Sequence, residues 1–293
     1  MVRGGGTPAV RSIADNAQLA LLLEVSSTPK PGNVDREHEY ADLRFEHFVT
    51  GAVGAREGLE RAAEGGPVGA AFERAIAGMS RQSGGNTQFG AILLLTPLVV
   101  AAARTRAETG ARTVTPEAAG EVVSETTVDD AVGFYRAFEH VSVAVDEPPE
   151  ELAAPDVRRG AAAEPALREA GLTLEDVMAD SAEIDGLAAE FVGGFERTFE
   201  TARRIRDRDG PVTDRAARVF LELLAEEIDT FVVTQHDRET AREVKRRAAA
   251  ALDGEETPED LAAEFVDRGI NPGTTADLIA GGFFVALERG LEV

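Results

Sequence analysis

Apolar residues recur at three- and four-residue intervals along most of this chain. Ile13, Ala17, Ala20, Leu21 and Val25 fall on one face of a helix. Phe45, Phe48, Val49, Ala52 and Val53 repeat the spacing before Arg56 and Glu57. The same periodicity predicts helices over 66–80, 88–107, 127–139, 186–207, 212–233, 237–252, 258–268 and 275–289. Several starts are legible. Thr257-Pro258-Glu259-Asp260 sets a capping hydroxyl, a first-turn proline and two acids in order, and Thr115-Pro116-Glu117 and Thr173-Leu174-Glu175-Asp176 resemble it. Period-two alternation is confined to one short candidate strand, Val141 to Val145. The expected fold class is all-α: a single multi-helix globular domain over residues 1–293, with a loop-borne site at helix N-termini. From Asp146 to Ala170 the prolines Pro148, Pro149, Pro155 and Pro165 predict an irregular excursion within that domain.

The longest apolar stretch, Phe89 to Ala103, contains Thr96 and Pro97 and falls short of the roughly 20 residues of a membrane span. It reads as a buried core helix, so no membrane is expected. Met1 to Val10 is glycine-rich and polar with no apolar signal region, which predicts a cytoplasmic protein. The chain has no cysteine, which excludes disulfides, thiolate nucleophiles and cysteine-ligated zinc.

Charge changes the picture of the environment more than of the chemistry. The formal net charge is -23, and of 30 basic residues only Lys30 and Lys245 are lysine. Such a surface resembles proteins adapted to molar salt, where a Debye length of about 3 Å screens self-repulsion. Arg203-Arg204 and Lys245-Arg246-Arg247 are interleaved with acids and read as solvated helix faces, so no nucleic-acid partner is expected.

Three polar, glycine-bearing segments interrupt the helical pattern, each just before an apolar run: Thr28-Pro29-Lys30-Pro31-Gly32-Asn33-Val34-Asp35, Ser83-Gly84-Gly85-Asn86-Thr87 and Asn271-Pro272-Gly273-Thr274-Thr275-Ala276-Asp277. A loop feeding a helix start presents unpaired N–H groups and partial positive charge, which suits phosphate. In the first segment Pro29 and Pro31 hold Lys30 extended and Gly32 permits a turn. Lys30 then fits a phosphate contact, with a solvated lysine on a helix-stop proline turn as the alternative. Asp35, with Asp42 further on, fits a pair of Mg²⁺ ligands beside phosphates, or two helix caps. Gly84 and Gly85 let a phosphate or ribose approach Asn86, Thr87 and the next helix; the ending of a Walker loop is missing, and a tight helix–helix turn has the same pattern. Asp277, on the first turn after Asn271 and Gly273, fits a metal ligand or general base, or an acid favoured by the helix dipole. Of the four histidines, His38 lies near Asp35, and His38, His47, His140 and His236 show no metal-binding spacing.

These segments resemble the triphosphoribosyl-dephospho-coenzyme A synthase family of all-helical enzymes. The resemblance runs from Glu24-Val25 through Thr28-Pro29-Lys30-Pro31-Gly32 to Val34-Asp35. It resumes at Met79, Gly84-Gly85-Asn86-Thr87 and Gly90-Ala91-Ile92, and ends at Asn271-Pro272-Gly273 with Ala276-Asp277-Leu278. It implies a transferase moving the triphosphoribosyl group of ATP to dephospho-coenzyme A, or a related acceptor, with release of adenine. By the same resemblance Lys30, Gly32, Gly84, Gly85, Asn86, Thr87, Asn271 and Gly273 would bind the ligand. Asp35, Asp42 and Asp277 would hold Mg²⁺, and Asp35 or Asp277 would serve as catalyst. The partners implied are a nucleotide and a small-molecule acceptor, with a homodimer left open. The chain departs from the family where Tyr40 and Gln88 replace histidines, Phe89 a lysine and, after Asp229-Thr230, Phe231 an asparagine. The alternatives are Mg-ATP-dependent phosphoryl or ribosyl transfer to another acceptor, and a non-catalytic nucleotide-binding helical protein.

Overall fold

Helix α1 (Ile13–Ser26) opens where Ser12 and Asp15 exchange capping bonds: the Asp15 N–H donates to the Ser12 hydroxyl and the Ser12 N–H to the Asp15 carboxylate. The architecture is that of a computed structural model describing residues 11–145 and 155–293. The N-terminal stretch Met1 to Val10 and the Pro148-Pro149 pair lie outside the described residues. After a loop come α2 (Phe45–Gly54), α3 (Arg56–Ala63), α4 (Val68–Met79) and the long α5 (Phe89–Thr109), then α6 (Pro116–Ser124) and α7 (Val128–Ala137). A 3₁₀ turn at Val157–Ala163 leads into α8 (Glu164–Ala170) and α9 (Leu174–Ser181). The remaining elements are α10 (Gly186–Val192), α11 (Glu196–Arg206), α12 (Val212–Glu226), α13 (Thr230–Gln235), α14 (Arg238–Leu252), α15 (Pro258–Asp267) and α16 (Gly273–Glu288).

The fold is all-α, and the described residues contain no strand. Thr115, Thr173 and Thr257 cap α6, α9 and α15 through their hydroxyls. Three expectations need correction. Val141–Val145 is an irregular extended segment. The proline-rich excursion turns helical from 157 onward, because Pro165 sits in the first turn of α8, where its missing N–H costs nothing. The long helices expected over 186–207 and 212–233 are each two. The first breaks at Gly193-Gly194, after which Phe195 adopts φ 62 with its ring fully buried. The second breaks at Glu227–Asp229, where Glu227 is extended and Asp229 caps α13.

One contiguous apolar cluster runs from Ile13 to Leu291. At its centre α16 is buried along nearly its whole length, packed among α1, α5, α11 and α12. Helix α5 is buried from Phe89 to Ala102, and Pro97 within it is accommodated beside a Thr96 hydroxyl that donates to the Ile92 carbonyl (2.7 Å). It is the one helix among the described residues long and apolar enough to cross a membrane, yet 72% of its apolar window is buried inside the protein. Its sidedness matches a core helix, hydrophobic all round because protein surrounds it. The surface carries the charge in pairs such as Arg203 and Arg204 with Glu200, and Arg247 with Glu256 and Glu264. The N-termini of α5, α10, α13 and α16 open on the same cleft.

Candidate active site

The first polar segment folds back on the end of α1. The Lys30 ammonium is fully buried, paired with Glu24 and donating to Asn33 Oδ1 (2.7 Å). Asp35, 1% exposed, organises the loop: its Oδ2 accepts from the Lys30 N–H (2.9 Å), and its Oδ1 accepts from the Glu37 and His38 N–H groups (2.8 and 2.9 Å) and lies 3.1 Å from His38 Nδ1. Lys30 thus neutralises a buried carboxylate, and Asp35 has its oxygens committed to loop N–H groups. Asp42 is exposed and is not part of the cleft described below. Asp35, Asp42 and Asp277 therefore form no metal cluster, and no group of three or more potential ligands occurs among the described residues.

What the first segment does contribute is Asn33. Its Nδ2 donates to Asn271 Oδ1 (2.9 Å), tying the first segment to the third. Gly32 makes the join possible: its φ is +78, and a Cβ there would lie 2.2 Å from the Ile270 carbonyl oxygen. Tyr40, in the place of a family histidine, donates its hydroxyl to the Gly32 carbonyl (2.5 Å) and lies 3.2 Å from the Ile270 carbonyl. Burial raises its pKa, so it stays protonated as a clamp.

In the second segment Asn86 Oδ1 accepts the Phe89 N–H (3.1 Å) at the head of α5. Asn86 and Thr87 face the cleft; Gly84 and Gly85 do not. Gly84 packs against the His47 ring, and Gly85 is exposed with φ +72. Gly32 also stays off the cleft wall, so these three glycines shape the loops behind it.

The third segment holds the centre. Asp229, the cap of α13, accepts from the Phe231 and Val232 N–H groups with Oδ1 (3.0 and 3.1 Å). Its Oδ2 accepts from the Thr275 N–H and hydroxyl (2.8 and 2.7 Å). The Thr230 hydroxyl accepts from the Gly186 N–H (3.0 Å) and lies 3.1 Å from the Thr274 hydroxyl. These bonds bring the starts of α10, α13 and α16 into register. Asp277, one turn into α16, lies against the start of α5, where the Ala91 N–H favours its charged form. Gly90 gives it room, since a Cβ there would lie 2.0 Å from Asp277 Oδ2 and 2.5 Å from Leu187 Cδ1.

The result is one cleft of about 230 Å³. Its polar lining includes Glu24, Asn33, Asn86, Thr87, Asp185, Asn271, Thr274 and Asp277; its apolar lining is gathered around the packed rings of Phe89, Phe134 and Phe138, with Val143, Val177 and Met178. No Lys, Arg or His among the described residues lines it. Burial raises the Asp277 pKa well above the carboxylate range; the Glu24, Asp229 and Asp185 charges raise it further, against the pull of the Ala91 N–H. Burial also raises Glu24, with Lys30 opposing, and Asp229, opposed by its four hydrogen bonds. A buried carboxylate whose pKa is raised holds a proton more firmly than an exposed one, the property a proton-accepting group in a cleft uses.

Of the residues expected from sequence, Asn86, Thr87, Asn271, Gly273 and Asp277 line this cleft. Glu24, Asn33, Asp185 and the Asp229-Thr230 pair were given no role from sequence. Glu24 and Asp229-Thr230 stand inside the strings that carry the family resemblance, and Asp185-Gly186 before an apolar run is a capping signal; those were the available signs.

The family model of ATP:dephospho-CoA triphosphoribosyl transferase matches residues 10–292. Among solved structures, the chain is similar to the crystal structure of an Archaeoglobus fulgidus protein assigned as a triphosphoribosyl-dephospho-CoA synthase. The two share 24% identity and a TM-score of 0.66, over 83% of this chain and 99% of that one, a likeness that shows the fold. A comparison with curated proteins finds no match. With its three family segments meeting in one cleft and the family model spanning almost its entire length, the chain belongs to the ATP:dephospho-CoA triphosphoribosyl transferases.

Proposed function

We propose that this cleft is where the chain carries out its family's reaction, transfer of the triphosphoribosyl group of ATP to dephospho-CoA, with Asp277 as general base. A hydroxyl of the acceptor ribose attacks the anomeric carbon of ATP. The O–C1′ bond forms, the C1′–N9 bond breaks with its electron pair passing to adenine, and the hydroxyl proton goes to Asp277. Adenine then takes a proton from solvent, and the triphosphate stays on the transferred sugar. The observation that carries this reading is the meeting of Asn33, Asn86 and Asn271 from three distant segments around Asp277.

The polyanion enters a cleft wall that, among the described residues, holds carboxylates and no cationic side chain. Two features fit that charge. The long helices α5 and α16 turn the positive ends of their dipoles toward the cleft, and hydroxyl and amide side chains such as Asn33, Thr87 and Asn271 supply a second set of contacts. The hard oxygens of Glu24 beside Asp277, with one ammonium near them, suit a Mg²⁺ ion that one or two protein carboxylates and phosphate oxygens share. Glu24 would hold it, and it would neutralise triphosphate charge. Asp277, free of that duty, holds the proton; Asn33 and Asn271 orient the phosphates; the apolar wall keeps water from the developing cationic sugar.

The acidic, arginine-rich surface supports a protein that works in concentrated salt. Incubation with Mg-ATP and dephospho-CoA in molar KCl, followed by chromatography of the bases, tests the reaction. Free adenine in step with acceptor consumption is expected, and ADP in its place overturns the reading.

A further inference from the structure

Tyr135, on α7, is 1% exposed, and its hydroxyl has no hydrogen-bond partner among the described residues, although the residue lines the cleft. Buried hydroxyls are paired as a rule, so an orphan at a ligand-sized cavity points to a partner that the ligand brings. Around it stands an aromatic wall: Phe89 and Phe138 meet edge-on at 4.9 Å between centroids, Phe134 and Phe138 at 5.4 Å, and Phe134 and Tyr135 at 5.9 Å. Val143 and Met178 extend the apolar surface.

We propose that this end of the cleft is the purine pocket of the nucleotide donor, with the Tyr135 hydroxyl reading the edge of the base. The inference rests on the pentosyl-transfer reading above. Thr87 Oγ1 and Gln88 Oε1 on the same cleft are orphaned too, but only the Tyr135 hydroxyl stands among the packed aromatic rings, where a triphosphate is repelled and the two amides of a pantetheine arm find one partner. A planar heterocycle fits both features: its faces meet apolar surface, and its ring nitrogens or exocyclic amine meet the hydroxyl. Phe89 places the pocket beside the reacting centre. It belongs to the apolar wall and also opens α5, whose Gly90 packs against the Asp277 carboxylate. The base bonded to the anomeric carbon itself is the donor's; the acceptor's adenine sits on the attacking ribose, and the separate KM values for ATP and dephospho-CoA distinguish the two. Burial, with the Asp156 and Asp180 charges, raises the Tyr135 pKa and keeps the hydroxyl protonated and able to donate.

The test compares wild type with Tyr135→Phe and with Val143→Trp, which fills the pocket from an irregular segment. Binding of ATP, GTP and purine riboside triphosphate is measured by calorimetry, and kcat/KM is measured for ATP and for dephospho-CoA. Tyr135→Phe should keep its Tm, since it removes only an unpaired oxygen, and should lose about tenfold in affinity for ATP, one hydrogen bond's share. Its preference for ATP over GTP should shrink, with the KM for dephospho-CoA unchanged. Val143→Trp should fold and lose ATP binding. Unchanged ATP discrimination, or a rise confined to the KM for dephospho-CoA, overturns the proposal. The binding arm stands apart from turnover: wild type that binds ATP selectively through Tyr135 yet releases no adenine rejects the reaction and keeps the pocket.

Discussion

Gly90 and Asp277 meet so closely that the first carbon of any side chain at Gly90 would stand 2.0 Å from the carboxylate oxygen Oδ2. The start of α5 thus fixes where the carboxylate of α16 points. Gly90→Ala should displace Asp277 and cost about 100-fold in kcat/KM, the scale of an ångström of misplacement. It should also cost roughly 1–3 kcal/mol of stability through overpacking. Steady-state kinetics beside a thermal melt separates the two losses.

Asp277 also makes a pH-dependent contribution to stability. Its folded pKa is raised, as are those of Glu24 and Asp229. Between the unfolded and folded values the native state holds more protons than the unfolded one, so stability falls as pH rises through that window and levels off above it. Asp277→Asn removes its part of the fall. The variant should melt higher than wild type at neutral pH, the difference should vanish below the unfolded carboxylate pKa, and activity should be lost. Melts from pH 4 to 8 in fixed salt measure it.

Lys30 separates the structural account from the expectation drawn from sequence. As a phosphate contact, Lys30→Met would raise the KM for ATP and leave Tm alone. As the buried partner of Glu24, its loss strands a carboxylate and should cost about 3–5 kcal/mol. Adding Glu24→Gln should recover most of the Tm without recovering activity. Denaturant melts of the single and double variants decide between them.

Much of the fold was readable because helical period and capping signals are local. Thr115, Thr173 and Thr257 each announced a helix that forms. The breaks after Val192 and at Asp229 were hidden. An apolar period continues across both, and only tertiary contacts such as the Thr275 bonds to Asp229 make the interruption favourable. Within the site, the segments were legible and the duties of their residues were not. Lys30 looks like a ligand contact in a string of letters; its role depends on Glu24, which reaches it from the preceding helix. Tyr135 shows nothing in sequence, because an orphan hydroxyl exists only once its surroundings are built.

The acidic surface yields a salt dependence. With a net charge of -23, self-repulsion at about 0.1 M salt acts over about 10 Å and at 1 M over about 3 Å. Pairing helps locally: the Arg203 and Arg204 side chains hold the Glu200 pKa down to about 2. The unpaired excess of acids should still make Tm climb steadily from about 0.1 to 2 M KCl. A flat or falling curve would count against adaptation to salt.

The most direct measurement follows the products of Mg-ATP and dephospho-CoA with wild type and Asp277→Asn side by side. The account predicts free adenine equal to the triphosphoribosylated acceptor from wild type, and an Asp277→Asn protein that binds ATP and releases none. Adenine release at the wild-type rate from Asp277→Asn, or ADP from either protein, would contradict it.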